Sequence, residues 1–210
     1  MRTRVKICGF TRTVDANSAA ALGVDAVGLV FYRPSPRFIE IEQAVAVSKA
    51  LPAFVSVVAL FVDAESAWIE QVLQHVPIDC LQFHGNETPD ECRRYGKPYI
   101  KAVRMHAGVD FNKIERDYAD ARCLLVDAFQ PGVQGGTGMG FDWNLIPDRR
   151  KLPLILAGGL TAENAAQAII AVKPYALDVS SSVEAAKGIK DVAKMAAFIR
   201  KTNQTLESYD

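Results

Sequence analysis

The sequence predicts an α/β fold, a single-domain (β/α)8 TIM barrel, from three observations. Eight short and almost wholly apolar runs recur along the 210 residues, as in parallel strands that are buried on both faces. Amphipathic stretches rich in Ala, Glu and Lys separate these runs and suit the helices that connect parallel strands. The chain supplies about 26 residues per strand–helix unit, close to the minimum that eight units require.

Each predicted strand is four to seven residues long. The strands are predicted at Val5–Cys8, Ala26–Val30, Val55–Phe61, Cys80–Phe83, Tyr99–Val103, Cys123–Asp127, Leu154–Ala157 and Ala176–Val179. The clearest helical segments are Val14–Leu22, Glu42–Leu51, Ala64–Gln74, Asn164–Val172 and Val192–Lys201. Thr161 is a candidate N-cap, and Pro89 suits a first helical turn.

A doubly wound open sheet is the main alternative to the barrel. Its dinucleotide-binding form carries GxGxxG in the first strand–helix turn, but this turn reads Cys8-Gly9-Phe10-Thr11. Eight units and a Gly-rich loop after the seventh strand favour the barrel. Because no linker or low-complexity segment interrupts the pattern, we expect one domain over residues 1–210.

Composition excludes several classes of function. The 24 basic and 24 acidic side chains balance, whereas a protein that binds nucleic-acid phosphates needs an excess of Lys and Arg. The longest apolar stretch, around Val57–Val62, is far shorter than the roughly 20 residues of a membrane span. The N-terminus lacks the apolar core of a secretory signal, so we expect a cytoplasmic protein.

The cysteines and histidines show no metal-binding spacing, so we expect no metal site. The cysteines lie far apart without a CxxC pair, which predicts reduced thiols. They are Cys8, Cys80, Cys92 and Cys123, of which the last three are predicted to be packing residues. The histidines are His75, His84 and His106.

In a barrel enzyme the active site lies at the C-terminal ends of the strands. Polar side chains at the predicted strand ends are therefore candidate site residues: Cys8, His84, Asp127 and Asp178. Strands one and six are not neighbours in an eight-membered ring, so Cys8 and Asp127 are expected to flank a substrate, one as base and one as acid. The structural alternatives are a small buried side chain for Cys8 and a turn residue for Asp127.

Lys6 shares the inward face of the first strand with Cys8, because side chains alternate along a strand. An unpaired buried ammonium is costly, so Lys6 is expected to pair with Asp127 or Asp178, with either a catalytic or a purely structural result. A cation beside Cys8 is also expected to bring the pKa of the thiol closer to neutrality.

Two loops have the features of a phosphate site. The loop after the seventh strand contains Gly158 and Gly159, and the loop after the eighth contains Ser180, Ser181 and Ser182. Barrels often bind phosphate between these loops through backbone N–H groups and a helix N-terminus. The alternative is that the glycines only turn the chain.

Two further segments are candidates. Arg37 follows a Pro-rich turn after the second strand and has the planar fork that binds a carboxylate, although a solvated surface arginine is the simpler interpretation. The segment Gly135–Gly138 after the sixth strand is expected to form a lid over the site.

Taken together, these residues resemble the phosphoribosylanthranilate isomerase family, the barrel enzymes of tryptophan biosynthesis. The resemblance extends over almost the whole chain, and its motifs occur in one order. They are Lys6-Ile7-Cys8-Gly9 with Thr11-Arg12, Asp25-Ala26-Val27-Gly28, Ser35-Pro36-Arg37, Gln82-Phe83-His84-Gly85, Val126-Asp127-Ala128, Gly135-Gly136-Thr137-Gly138 with Phe141-Asp142-Trp143, Leu156-Ala157-Gly158-Gly159-Leu160, Asp178-Val179-Ser180-Ser181 with Val183-Glu184, and Gly188-Ile189-Lys190-Asp191.

The resemblance implies an Amadori rearrangement of N-(5′-phosphoribosyl)anthranilate to 1-(2-carboxyphenylamino)-1-deoxyribulose 5-phosphate. Asp127 is then the general acid that protonates the furanose ring oxygen, and Cys8 the general base that removes the C2′ proton. Arg37 holds the anthranilate carboxylate, and the loops after strands seven and eight hold the phosphate. No cofactor is implied, because the substrate nitrogen is the electron sink. The expected partner is this phosphorylated small molecule, and the expected oligomeric state is monomer or homodimer.

Ser182 departs from the family pattern, in which glycine is usual. Either a positive φ at Ser182 costs about 1 kcal/mol, or its hydroxyl adds a hydrogen bond to phosphate. The rival functions are a histidine-pathway isomerase, which has Asp at the end of strand one, and a pentose-phosphate epimerase, which needs His and Asp metal ligands. A barrel that binds phosphate without catalysis is the rival outside enzymes.

Overall fold

The computed structural model describes residues 2–128 and 142–207. Eight parallel strands close into a barrel in chain order, with the first strand hydrogen-bonded to the eighth. The barrel strands are β1 Arg4–Cys8, β2 Ala26–Val30, β3 Ser56–Phe61, β4 Cys80–Phe83, β5 Tyr99–Met105, β6 Cys123–Ala128, β7 Leu154–Leu156 and β8 Ala176–Val179. The predicted fold class is therefore confirmed, and each predicted strand end lies within two residues of the observed one.

The helices lie between the strands and cover the outside of the barrel. They are α1 Thr13–Ala21, α2 Ile41–Ala50, α3 Ser66–His75, α4 Pro89–Arg93, α5 Phe111–Asp117, α6 Ala165–Val172 and α7 Val192–Glu207. The five predicted segments correspond to α1, α2, α3, α6 and α7. Helices α4 and α5 were not predicted as segments, because five and seven residues are too few to show a helical period.

Two predictions about helix starts have different outcomes. Pro89 begins α4, behind a capping box formed by Thr88 and Glu91, as expected. Thr161 is not the N-cap of α6, because Asn164 occupies that position. Residues 161–164 instead form their own turn, in which the Thr161 N–H donates to Asn164 Oδ1 at 2.8 Å.

Side-chain alternation separates an inner core from an outer one. Leu125 and Ala176 belong to a cluster inside the barrel, whereas Val5 and Ile7 pack with the helices in the outer core. The inward face of β1 therefore carries Lys6 and Cys8, as the sequence predicts.

The chain after β8 adds a feature that the sequence does not predict. A short 3-10 turn, Ser181–Val183, leads into a two-stranded hairpin of β9 Glu184–Ala186 and β10 Ile189–Lys190. This hairpin stands beside the C-terminal end of the barrel, because Lys190 reaches the Cys8 carbonyl at the end of β1. In the ranges described, no helix combines the length and apolar character that a membrane crossing requires.

Candidate active site

A cavity of about 350 Å³ opens at the C-terminal ends of the barrel strands. Most of the predicted site residues line it: Cys8, Arg37, His84, Asp127, Gly158, Asp178, Ser180, Ser181 and Ser182. Two of the predicted site residues, Lys6 and Gly159, are not part of the described lining. Lys6 lies one layer deeper in the barrel, and Gly159 turns the chain behind Gly158.

Cys8 ends β1 and is only 6% exposed. Its register partner on β2 is Gly28, and a Cβ built there would approach Cys8 Sγ to 2.5 Å. Glycine at position 28 therefore makes room for the thiol. Burial raises the pKa of the Cys8 thiol, and Asp178 adds to this, whereas Lys6 and Lys190 pull it down. Lys6 lowers the pKa of the thiol as expected, but burial outweighs the two cations, so the pKa is raised overall.

Lys6 pairs with Asp178 and not with Asp127. The Lys6 Nζ–Asp178 Oδ1 distance is 2.9 Å, and both side chains are buried. Burial alone would lower the pKa of Lys6, but Asp178 and Cys8 overcome this and raise it. Lys6 is therefore charged, and its partner Asp178 on β8 lines the cavity.

Asp127 is the penultimate residue of β6, which is three strands from β1 around the barrel. His84 Nε2 lies 3.4 Å from Asp127 Oδ2, and His84 Nδ1 lies 3.0 Å from Gln82 Nε2. If the Gln82 amide donates to Nδ1, the ring proton is on Nε2 and faces the Asp127 carboxylate. His84 and Asp127 therefore lie side by side in the wall of the cavity.

Arg37 is fixed by an ion pair and is not a solvated surface side chain. Its Nε and Nη2 donate to the two oxygens of Glu184, both at 2.8 Å, and its side chain is 12% exposed. The aliphatic stem crosses Gly9, where φ is +85° and a Cβ would meet Arg37 Cδ at 2.5 Å. Position 9 therefore needs glycine for two reasons, the positive φ of the backbone and the space that the Arg37 stem occupies.

The two predicted phosphate loops meet at one rim of the cavity. Gly158 and Gly159 both have positive φ, 80° and 66°. Ser182 Oγ donates to the Leu160 carbonyl at 2.6 Å and so links the loop after β8 to the loop after β7. Ser182 is not among the described non-glycine residues with positive φ, so the backbone-strain alternative was wrong. The hydroxyl proton is used for the link between loops.

The sequence model of the N-(5′-phosphoribosyl)anthranilate isomerase family matches residues 5–201. The chain belongs to this family. N-(5′-Phosphoribosyl)anthranilate isomerase from Nitrosococcus oceani is 58% identical over 200 residues, which cover 95% of this chain and 97% of the relative.

Solved isomerases of the family have the same fold. The enzyme from Thermotoga maritima superposes with a TM-score of 0.88 at 39% identity, covering 96% of this chain and 99% of that one. A phosphoribosyl anthranilate isomerase in complex with reduced 1-(o-carboxyphenylamino)-1-deoxyribulose 5-phosphate superposes with a TM-score of 0.85 at 38% identity, with the same coverage.

Several residues of the isomerase cavity were not found by sequence reasoning. An apolar wall is formed by Val30, Tyr32, Leu60 and Val62 at the ends of β2 and β3. In the sequence, an apolar residue at a strand end cannot be distinguished from a core residue. Gln82 was detectable in principle, since it shares a strand face with His84.

Three other expectations concern residues around the isomerase cavity. Cys80, Cys92 and Cys123 do not line it, and burial raises the pKa of each thiol, to about 12, 12 and 11. The expected lid, Gly135–Gly138, lies outside the described residues, as does Phe141. Within the described ranges, no three His, Cys, Asp or Glu side chains are grouped to hold a metal ion.

Proposed function

We infer that this protein isomerises N-(5′-phosphoribosyl)anthranilate to 1-(2-carboxyphenylamino)-1-deoxyribulose 5-phosphate, an Amadori rearrangement in tryptophan biosynthesis. Membership of the isomerase family is the evidence for which reaction the protein catalyses. The observation that supports the mechanism is that Cys8 and Asp127 lie at the C-terminal ends of two non-adjacent strands and line one cavity. A substrate held between them has an acid on one side and a base on the other.

The two ends of the substrate fit opposite parts of the cavity. We assign the phosphate to the rim formed by Gly158, Gly159 and Ser180–Ser182, where glycines allow close approach of the backbone to an anion. The anthranilate carboxylate goes to Arg37. Glu184 occupies the Nε/Nη2 edge of the guanidinium, which leaves the Nη1/Nη2 edge for a second carboxylate. The apolar wall beside Arg37 suits the aromatic ring.

The resemblance to the family assigns the proton transfers to these two facing groups. Asp127 donates a proton to the furanose ring oxygen, and the ring opens to a Schiff base. Cys8, as thiolate, then removes the C2′ proton and gives an enolamine, which tautomerises to the ketone. Substrate and product are isomers, so the sequence consumes no oxidant or reductant.

The charged groups around the cavity suit Cys8 as the base and Asp127 as the acid. Lys6 is engaged with Asp178 and not with Asp127, so its charge does not act on the acid by direct contact. The same lysine is beside Cys8 and stabilises the thiolate that burial disfavours. Lys6 therefore supports the base without contacting the acid.

The test is the loss of anthranilate fluorescence when the protein is added to freshly formed phosphoribosylanthranilate. We expect a loss whose rate is proportional to protein concentration, and no turnover of the histidine-pathway aminoaldose. Turnover of the latter alone would favour the histidine-pathway isomerase. Binding of phosphoribosylanthranilate without turnover would favour a non-catalytic barrel. Cytoplasmic location, a single domain and a monomeric or homodimeric state remain predictions.

A further inference from the structure

The hairpin that follows β8 carries a buried ion pair that the proposed mechanism does not use. Glu184 and Lys190 lie on its two strands and are 7% and 3% exposed. Lys190 Nζ donates to Glu184 Oε1 at 2.8 Å. A buried ion pair generally stabilises a fold less than apolar residues of the same size would, so its position calls for a reason beyond packing.

Glu184 connects the pair to Arg37. Each oxygen of Glu184 accepts one of the two Arg37 donors described above, and the Gly188 N–H donates to Oε1 at 3.3 Å. Burial alone would raise the pKa of Glu184, but Arg37 and Lys190 lower it. The carboxylate is therefore ionised, and its two-point contact fixes the plane of the guanidinium.

Lys190 connects the pair to Cys8. Besides Glu184, Nζ donates to the Cys8 carbonyl at 2.6 Å and to the Ser180 carbonyl at 3.3 Å. These three acceptors match the three N–H donors of an ammonium group. Ser180 Oγ donates to the same Cys8 carbonyl at 2.9 Å. Lys190 thus joins the end of β1, the loop after β8 and the hairpin at one point.

We propose that Glu184 and Lys190 are positioning residues for the isomerisation, with Glu184 setting the orientation of Arg37 and Lys190 setting the position of Cys8. This inference rests on the proposed function. The proposal explains why a hairpin outside the barrel contacts both Arg37, which binds the anthranilate carboxylate, and Cys8, which is the base. Neither residue touches the substrate in this account.

Lys190 has a second, electrostatic effect on Cys8. The charged groups that face the thiol are Lys6 on β1, Asp178 on β8, Lys190 on β10 and Arg37 in the loop after β2. Burial and Asp178 raise the pKa of the Cys8 thiol, and removal of Lys190 takes away one of the cations that lower it. The pKa of the thiol then rises, and the acidic limb of the kcat/KM profile moves to higher pH.

The first test compares Glu184→Gln with wild type on two substrates, phosphoribosylanthranilate and its aniline analogue, which lacks the carboxylate. Loss of one charge-assisted contact predicts a KM for phosphoribosylanthranilate about 10- to 100-fold higher, with little change in kcat. The KM for the aniline analogue is expected to stay unchanged. An unchanged KM for phosphoribosylanthranilate, or an equal rise for both substrates, would overturn the role of Glu184.

The second test measures the pH dependence of kcat/KM for Lys190→Gln, with Lys187→Gln as the control. Lys187 is exposed in the same hairpin turn, so its variant should match wild type. A lower kcat without movement of the acidic limb would overturn the role of Lys190.

If Lys190→Gln does not fold, Lys190→Arg decides the question. Arginine keeps the charge but cannot direct three donors tetrahedrally from one atom. We expect kcat to fall while the limb stays in place, and an unchanged kcat overturns the proposal. An inactive, folded wild-type protein would instead refute the proposed function itself, which separates the two failures.

Discussion

Gly28→Ala is expected to damage the reaction through a single methyl group on a neighbouring strand. Gly28 is the β2 residue paired with Cys8, and its carbonyl accepts hydrogen bonds from the two residues that follow Cys8. The new Cβ would lie 2.5 Å from Cys8 Sγ and 3.0 Å from both Cα and Cβ of Cys8. The backbone atoms belong to a barrel strand and cannot retreat far, so the thiol must move.

The magnitude follows from these distances. An ordinary contact to carbon begins near 3.4 Å, so Sγ must shift by about 1 Å or rotate to another rotamer. Overpacking of a core costs about 1–3 kcal/mol, partly offset by about 0.5–1 kcal/mol because alanine is better than glycine inside a strand. We expect a net loss of about 1–2 kcal/mol in unfolding free energy. A base displaced by 1 Å predicts a kcat lower by about 100-fold, with KM nearly unchanged.

Urea denaturation and the fluorescence assay measure the two quantities on the same preparation. Gly108→Ala is the control, because Gly108 lies in an exposed turn and a Cβ there meets only the His106 ring, at 3.3 Å. We expect the control to keep its kcat. If Gly28→Ala loses stability but keeps kcat within twofold, the position of the Cys8 thiol does not govern the rate, and the argument is refuted.

Three further predictions follow from described contacts. Asp178→Asn leaves Lys6 buried without its carboxylate. The unfolding free energy, measured in urea, should fall by about 3–5 kcal/mol. A loss below about 1 kcal/mol would contradict a buried ion pair. Ser182→Gly removes the hydrogen bond to Leu160 and should raise KM by up to about tenfold at constant kcat, whereas a large fall in kcat at constant KM would show another role. Burial raises the pKa of Cys92 to about 12, so above pH 9 the unfolded chain releases a proton that the folded chain keeps. The unfolding free energy should fall by about 1.4 kcal/mol per pH unit more steeply than in Cys92→Ala, and equal slopes would contradict the burial of this thiol.

The barrel was predictable because its strands are buried on both faces and therefore form apolar runs with turn residues between them. The residues at the strand ends were predictable for the same reason, since Cys8, Asp127 and Asp178 interrupt or end such runs. Alternation placed Lys6 beside Cys8, and the structure selected Asp178 over Asp127 as its partner. A closed barrel already implies that β1 lies beside β8, but the register that pairs Lys6 with Asp178 is set only in the folded structure.

The parts that sequence reasoning missed depend on contacts between distant segments. Glu184 is 147 positions from Arg37, and Lys190 is 182 positions from Cys8. The local sequence around Glu184 and Lys190 does not predict that a charged side chain is buried there, so only the fold reveals it. The role of Ser182 was missed for the same reason, because its acceptor belongs to the loop of the preceding strand.

The most direct test of the acid–base assignment is turnover of freshly formed phosphoribosylanthranilate by Cys8→Ser and Asp127→Asn. Cys80→Ser is the thiol control, since Cys80 does not line the cavity. We expect each site variant to stay folded by circular dichroism and to lose at least about 100-fold in kcat, while the control keeps its activity. Near-normal turnover by folded Cys8→Ser or Asp127→Asn would contradict the assignment.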